Sequence, residues 1–325
     1  MLTTWQYYQR FYEGLILKRE DVFDNCLAYD SALTVFPPET EEYARLNCLL
    51  EQIEEKYGFH MTLNYKQLYL WQRNFCPAAD DASLLAAGKL VLFCCLADNI
   101  LDSPRFSDKE KEAVCAKLLP QQEIALAMFS KEHFPELDAL RDEAYDFYKH
   151  TCDNAYSAAA VMNDLALAYR SEAYMYRSRL RDCETLFASD LPLLTDKSVR
   201  FEKAALLTAS FGHNTERSIK AAVTMGKIFW LTDDLCDLID DIHAKRKNSL
   251  LFFYAHSSAP LSLFERAEAV YQHMNQAVAD LWEELENLRG LADESLYAFM
   301  VAQVWKWCCH VRRFLQESES AESLP

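Results

Sequence analysis

Glycine and proline are scarce in this sequence, six and nine among 325 residues. Sheet-rich chains turn every few residues and draw on both for their hairpins, so this shortage of turn formers excludes an architecture of many short strands. Basic residues are also in deficit, 33 Lys and Arg against 50 Asp and Glu, for a formal charge of −17. That excludes a nucleic-acid partner, which draws on clustered cations, and an anionic substrate would need a cation as intermediary. No C-x-x-C pair occurs among the eleven cysteines, and the neighbours Cys94–Cys95 and Cys308–Cys309 lie in apolar stretches. Neither a zinc site nor a disulfide framework is indicated, and free thiols in a reducing compartment are expected. The eight histidines form no H-x-x-x-H or E-x-x-H pattern, which disfavours a ferritin-like di-metal bundle. The opening "MLTTWQYYQRFYEGL" has no basic segment followed by an apolar core, and "LLAAGKLVLFCCLA" (84–97) reads as too short and too interrupted to span a bilayer. A cytoplasmic protein without stable membrane insertion is expected.

What remains is a chain with 51% hydrophobic residues, enough for a sizeable core, in long segments of helical periodicity. These lie near 40–57, 64–74, 82–102, 107–118, 121–130, 135–152, 154–181, 198–212, 214–246, 261–288 and 292–316. Breaks fall at Pro37–Pro38, Ser103–Pro104, Pro120, Pro135, Pro192, Gly212 and Pro260, because proline clashes with a helix interior and restricts the residue before it. The reading is a single all-α domain over residues 1–316, with the polar tail "ESESAESLP" (317–325) expected to fray.

The chemistry concentrates in "GKIFWLTDDLCDLIDD" (226–241). At ~100° per residue, with Asp233 at zero, Asp237, Asp241, Asp234 and Asp240 fall at about 40°, 80°, 100° and −20°. Leu231, Leu235, Leu238, Ile239 and Ile242 take the opposite arc, which belongs to the core. A merely solvated face would be polar along its length. Here the acidic stripe begins as Ala222, Val223, Gly226 and Trp230, so the helix is expected to run along a cavity wall and present carboxylates at its mouth. The pattern recurs in "LLAAGKLVLFCCLADNILDSP" (84–104), where Asp98 and Asp102 follow Ala87, Gly88, Val91, Cys94 and Cys95. Pro104 leaves Asp102 near a helix C-terminus, where both the macrodipole and the i, i+4 repulsion oppose an anion. No nearby basic run offsets this. A hard divalent ion such as Mg²⁺ would, since it takes one or two carboxylates, keeps several waters and completes its shell with phosphate oxygens.

These motifs resemble those of the class I isoprenoid synthase superfamily, the trans-prenyl diphosphate synthases and class I terpene cyclases. "GKIFWLTDDLCDLIDD" is similar to the synthases' second aspartate-rich motif, G-x-x-F-Q-x-x-D-D-x-x-D-x-x-x-D, through Gly226, Phe229, Asp233, Asp234, Asp237 and Asp241, with Trp230 in place of Gln. It also fits the cyclase N-D-x-x-S-x-x-x-E spacing, with Asp233, Asp237 and Asp241 in the liganding positions. "DNILD" resembles the first motif, D-D-x-x-D, with Asn99 second, and lies 135 positions before Asp233. The resemblance implies a helical bundle around a deep apolar pocket, three Mg²⁺ ions with Mn²⁺ as substitute, and a prenyl diphosphate ionised to an allylic cation. It also allows a homodimer. The implied metal ligands are Asp98, Asp102, Asp233, Asp234, Asp237 and Asp241.

The departures favour a cyclase over an elongase. Nothing in residues 1–70 resembles the basic G-K-x-x-R-P segment that binds isopentenyl diphosphate, and "DSPRF" offers Arg105 where synthases place paired arginines. "HVRRF" supplies Arg312 and Arg313 at the cyclase Arg-Tyr distance, without the tyrosine. With Lys247 and the mid-chain Arg177, they are the implied diphosphate contacts. Lys203 in "FEKAALL" resembles the synthases' K-T motif but lies closer to Asp233 than the family spacing. Phe93, five residues before Asp98, resembles the chain-length floor of the synthases and would fit a geranyl or farnesyl chain better than geranylgeranyl. Val91, Cys94, Gly226 and Phe229 are the other implied pocket residues, and Trp230, Tyr169 and Trp305 would offer π-faces to a cation. A catalytically idle relative is the remaining alternative, against which the intact outer aspartates of both motifs speak.

Overall fold

The structure is a computed structural model that describes residues 2–16, 19–33, 41–58, 72–118, 134–150, 160, 163–164, 167–168, 191–208, 215–244, 248–253 and 262–322. Every extended element among the described residues is helical, as an all-α reading requires. In chain order they are α1 (Thr4–Leu15), α2 (Glu20–Leu33), α3 (Glu41–Tyr57), α4 (Asp81–Asp102), α5 (Asp108–Leu118), α6 (Pro135–His150), α7 (Leu191–Thr208), α8 (Glu216–His243), α9 (Leu250–Phe253), α10 (Leu263–Gln272), α11 (Met274–Leu291), α12 (Glu294–Trp307) and α13 (Cys309–Glu322).

The chain divides into two compact units, one of Met1–Leu33, Tyr174–Val199 and Val223–Pro325, the other of Thr34–Ala173 and Arg200–Ala222. In the first, α2 packs along α12, α1 packs on α11 and α13, and α9 on α10. Its core joins Tyr7, Phe11 and Leu15 of α1 to Leu231, Leu235 and Leu238 of α8 and to Leu281, Leu285, Met300 and Val301, all buried. The Tyr7 hydroxyl enters this core because it donates to the Leu235 carbonyl at 2.9 Å. In the second unit α4 packs along α6 and against α5, burying Leu90, Leu92, Phe93, Leu96 and Ile100 with Leu137, Leu140 and Val114.

Several boundaries differ from the periodicity. Asp81–Leu101 is long and apolar enough to cross a membrane by composition alone, a longer run than 84–97, but most of it is buried inside the protein. Pro192 does not precede α7 but lies in its first turn, where a missing N–H leaves no helical bond unmade. The run 261–288 is two helices parted at His273, and 292–316 is two parted at Cys308. Hydrophobic spacing continues through both joints, so periodicity could not reveal them. α13 carries on through Glu322, into the polar tail. α1 and α2 have no counterpart among the periodic segments, although "TTWQ" contains a capping box: Thr3 accepts from the Gln6 N–H at 3.2 Å and Gln6 accepts from the Thr3 N–H at 3.0 Å. The segment 121–130, most of 64–74 and most of 154–181 lie outside the described residues.

Candidate functional site

α8 begins with Thr215, whose hydroxyl accepts from the Ser218 N–H at 3.1 Å, and runs uninterrupted through the whole acidic motif. Its apolar arc is buried as expected: Leu231, Leu235, Leu238, Ile239 and Ile242 are each at most 6% exposed. Within that arc Thr232 satisfies its hydroxyl on the Ile228 carbonyl at 2.7 Å. On the other arc Ala222 and Gly226 are buried, Val223, Trp230, Asp233, Asp234, Asp237 and Asp241 are half-buried, and Asp240 is exposed, so the start of the stripe is less buried than expected at Val223 and Trp230.

Electrostatics differ sharply along this stripe. Burial pushes the Asp233 carboxyl well above the usual carboxylate range, with repulsion from Asp237, Asp234 and Asp241 adding to it and Lys197 opposing. Burial likewise raises Asp234 from 3.8 to about 6, although hydrogen bonds from Ser249 and Trp230 hold it down. The Asp234 Oδ2 accepts from Trp230 Nε1 at 2.9 Å, from the Ser249 N–H at 3.0 Å and from the Ser249 hydroxyl. Asp241 Oδ2 accepts from Asn248 Nδ2 at 3.2 Å. Asp237 Oδ1 lies 3.8 Å from His310 Nε2, whose other ring nitrogen donates to the Trp307 carbonyl at 2.9 Å. Tyr8 of α1 stacks edge-on to His310 and Phe314 and carries a buried hydroxyl without a well-formed hydrogen bond among the described residues. Burial, joined by Asp240 and Asp237, pushes that hydroxyl up beyond its usual range.

The raised Asp234 value makes the metal-free protein pH-sensitive. A carboxyl whose folded-state pKa exceeds its unfolded value binds its proton more tightly in the folded chain. Its favourable contribution is complete below the unfolded value, 3.8, and is lost as pH rises through about 6. Between about pH 7.5 and about pH 5, wild type should gain on the order of 1 kcal/mol over Asp234→Asn. Urea unfolding of both proteins without divalent ions at the two pH values checks this, and an unchanged difference refutes it.

The first motif belongs to the second unit. α4 ends at Asp102, as Pro104 requires, and Ser103 caps it by donating its N–H to the Asn99 carbonyl at 3.1 Å. Asp98 is half-buried, and the Asp102 side chain lies outside the described residues. Asn99, which replaces the second aspartate of the motif, folds its amide back to donate to the Cys95 carbonyl at 2.9 Å. Arg105 donates to the Gly58 carbonyl, where Gly58 closes α3 in the left-handed region at φ 66°. Lys203 pairs with the buried Asp164 at 2.7 Å beside Arg200 at 2.9 Å, a structural cluster.

Among the expected pocket residues, Val91, Phe93, Gly226 and Phe229 are buried, and Cys94, Trp230 and Trp305 half-buried. Phe229 meets Trp307 at 5.3 Å and Trp305 meets Phe23 at 5.5 Å. The Arg312 guanidinium lies 5.4 Å over the Trp305 ring, and Arg313 is exposed. Tyr169, Arg177 and Lys247 lie outside the described residues. A cleft of about 350 Å³ bounded by Gln6, Arg10, Glu13 and Tyr271 is polar and includes none of the expected pocket residues. Asn248, Ser249, Tyr8 and His310 had no signal in the sequence: they reach the acidic helix through the tertiary fold.

Among the described residues, no three His, Cys, Asp or Glu side chains converge closely enough to enclose an ion. The donor chemistry nevertheless suits Mg²⁺, which needs few protein oxygens, and the mutual repulsion at Asp233 is what a divalent cation relieves.

No protein-family model and no curated protein match the chain. Among solved structures it is similar to a single-residue variant of cucumene synthase, at 15% identity over 84% of this chain and 95% of that one, with a TM-score of 0.44. It is also similar to a geranylgeranyl pyrophosphate synthetase from Pyrococcus horikoshii Ot3, at 14% identity over 94% and 93%, with a TM-score of 0.41. The functional reading therefore rests on the residues of this chain.

Proposed function

We propose that the protein is a Mg²⁺-dependent class I terpene synthase that ionises a prenyl diphosphate, geranyl or farnesyl, and cyclises or quenches the resulting cation with release of diphosphate. The observation that carries this reading is the α8 stripe, where an apolar start that includes the buried Ala222 and Gly226 gives way to a row of half-buried aspartates, and Asp233 is held well above the ordinary carboxylate range. Asp233, Asp237 and Asp241, with Asp98 and Asp102 of the first motif, are the proposed ligands. Bound Mg²⁺ would supply Lewis-acid assistance to the departure of diphosphate. The chain itself contributes rigid placement of carboxylates along one continuous helix and aromatic faces at Phe229 and Trp230, which exclude water and tolerate a cation. The lack of a basic segment for a second diphosphate supports cyclisation over chain elongation.

The test is incubation with geranyl, farnesyl and geranylgeranyl diphosphates and Mg²⁺, with and without isopentenyl diphosphate, followed by mass analysis of products. A cyclic hydrocarbon or alcohol formed without the co-substrate is the expected result. Products strictly dependent on isopentenyl diphosphate would replace the reading with a prenyltransferase, and Mg²⁺-dependent diphosphate binding without turnover would replace it with an idle relative.

A further inference from the structure

Asn248 and Ser249, shortly after α8 in the chain, lie against the acidic helix. Ala244 already donates its N–H to the Asp240 carbonyl at 2.8 Å, so α8 does not need the next residues to close its last turn. Asn248 and Ser249 are nonetheless 0% and 1% exposed, far below the exposure usual for such polar residues. Their polar groups account for it. Asn248 Nδ2 donates to the Asp234 carbonyl at 2.8 Å and to Asp241 Oδ2 at 3.2 Å, while its Oδ1 accepts from the Leu250 N–H at 3.1 Å. Both amide protons and the amide oxygen therefore have partners. Ser249 is fixed on Asp234 Oδ2 by its N–H and its hydroxyl, and Trp230 Nε1 donates to the Ser249 hydroxyl at 2.6 Å as well as to Asp234.

The aspartates of α8 are consequently unequal. Asp234 is committed through Oδ2 to three donors of the protein itself, two of which anchor Ser249. Asp241 receives a neutral amide on Oδ2. An amide donor at that oxygen fixes the carboxylate's rotation and brings no charge of its own. We propose that Asn248, anchored through Ser249 on Asp234 and Trp230, is a positioning residue that orients the Asp241 carboxylate for a divalent cation.

This inference rests on the proposed metal-dependent function, so the experiment separates the two. Calorimetric titration of inorganic diphosphate in MgCl₂ is made on wild type, Asn248→Ala, Asp241→Asn and the double variant, with circular dichroism on each. Asn248→Ala should weaken Mg²⁺-dependent diphosphate binding roughly 10- to 100-fold with helicity unchanged. In the Asp241→Asn background the same replacement should add nothing, because its effect passes through Asp241. Wild-type affinity in Asn248→Ala, or a loss that adds fully to that of Asp241→Asn, overturns the inference while leaving the function standing. No Mg²⁺-dependent binding by wild type removes the proposed function, and this inference with it.

Discussion

Asp233→Asn is expected to abolish Mg²⁺-dependent release of diphosphate while making the metal-free protein more stable. The two effects have one cause. At neutral pH Asp233 is a carboxyl that burial and three neighbouring aspartates hold well above its ordinary range, so ionising it opposes folding. Asparagine keeps the shape and removes the charge. The rate should fall by roughly a thousandfold or more, because a ligated metal is worth several kcal/mol to a departing diphosphate and each ~1.4 kcal/mol is a factor of ten. Thermal unfolding without divalent ions should shift upward. Inactivation accompanied by a lower unfolding temperature would mean that Asp233 is structural, and retained turnover would remove it from the site.

The second large effect is on stability alone, far along the chain from the acidic helix. Lys117 lies at the end of α5 with its side chain fully buried, paired with Asp138 of α6. Arg141 also holds Asp138 at 3.2 Å. Asp138→Ala leaves a buried ammonium without its partner and should cost about 3 kcal/mol in urea unfolding. Lys117→Met, which removes the buried charge itself, should cost far less or stabilise, because a buried ion pair is opposed by the desolvation of both ions. Equal losses in the two variants would show that packing, not charge, holds α5 to α6.

The acidic face of α8 was legible because a continuous helix converts spacing directly into direction. The five leucine and isoleucine positions assigned to the core are buried, while on the other arc Ala222 and Gly226 are buried, Val223 and Trp230 half-buried, and the aspartates half-buried or exposed. The same rule fails at His273 and Cys308, where apolar periodicity continues across a joint between two helices. It fails again at Pro192, which reads as a break although a first helical turn accommodates it.

Other features depend on groups that meet only when the chain folds. Lys117 is buried with its ammonium paired to Asp138 of α6, a partner 21 positions further along the chain. His310 lies 73 positions after Asp237, yet α13 brings its ring to within 3.8 Å of that carboxylate. Asn248 and Ser249 carried no signal in the sequence, and their burial follows from donors that find acceptors on Asp234 and Asp241. The sequence by itself determined the helical class and the one-sided placement of charge, because both follow from local periodicity and the fixed pitch of a helix. Only the tertiary structure decided that Asp234 Oδ2 receives Trp230 and Ser249 while Asp241 Oδ2 receives the Asn248 amide. That distinction lies in hydrogen bonds to groups that come from separate turns of the chain, and spacing carries no record of them.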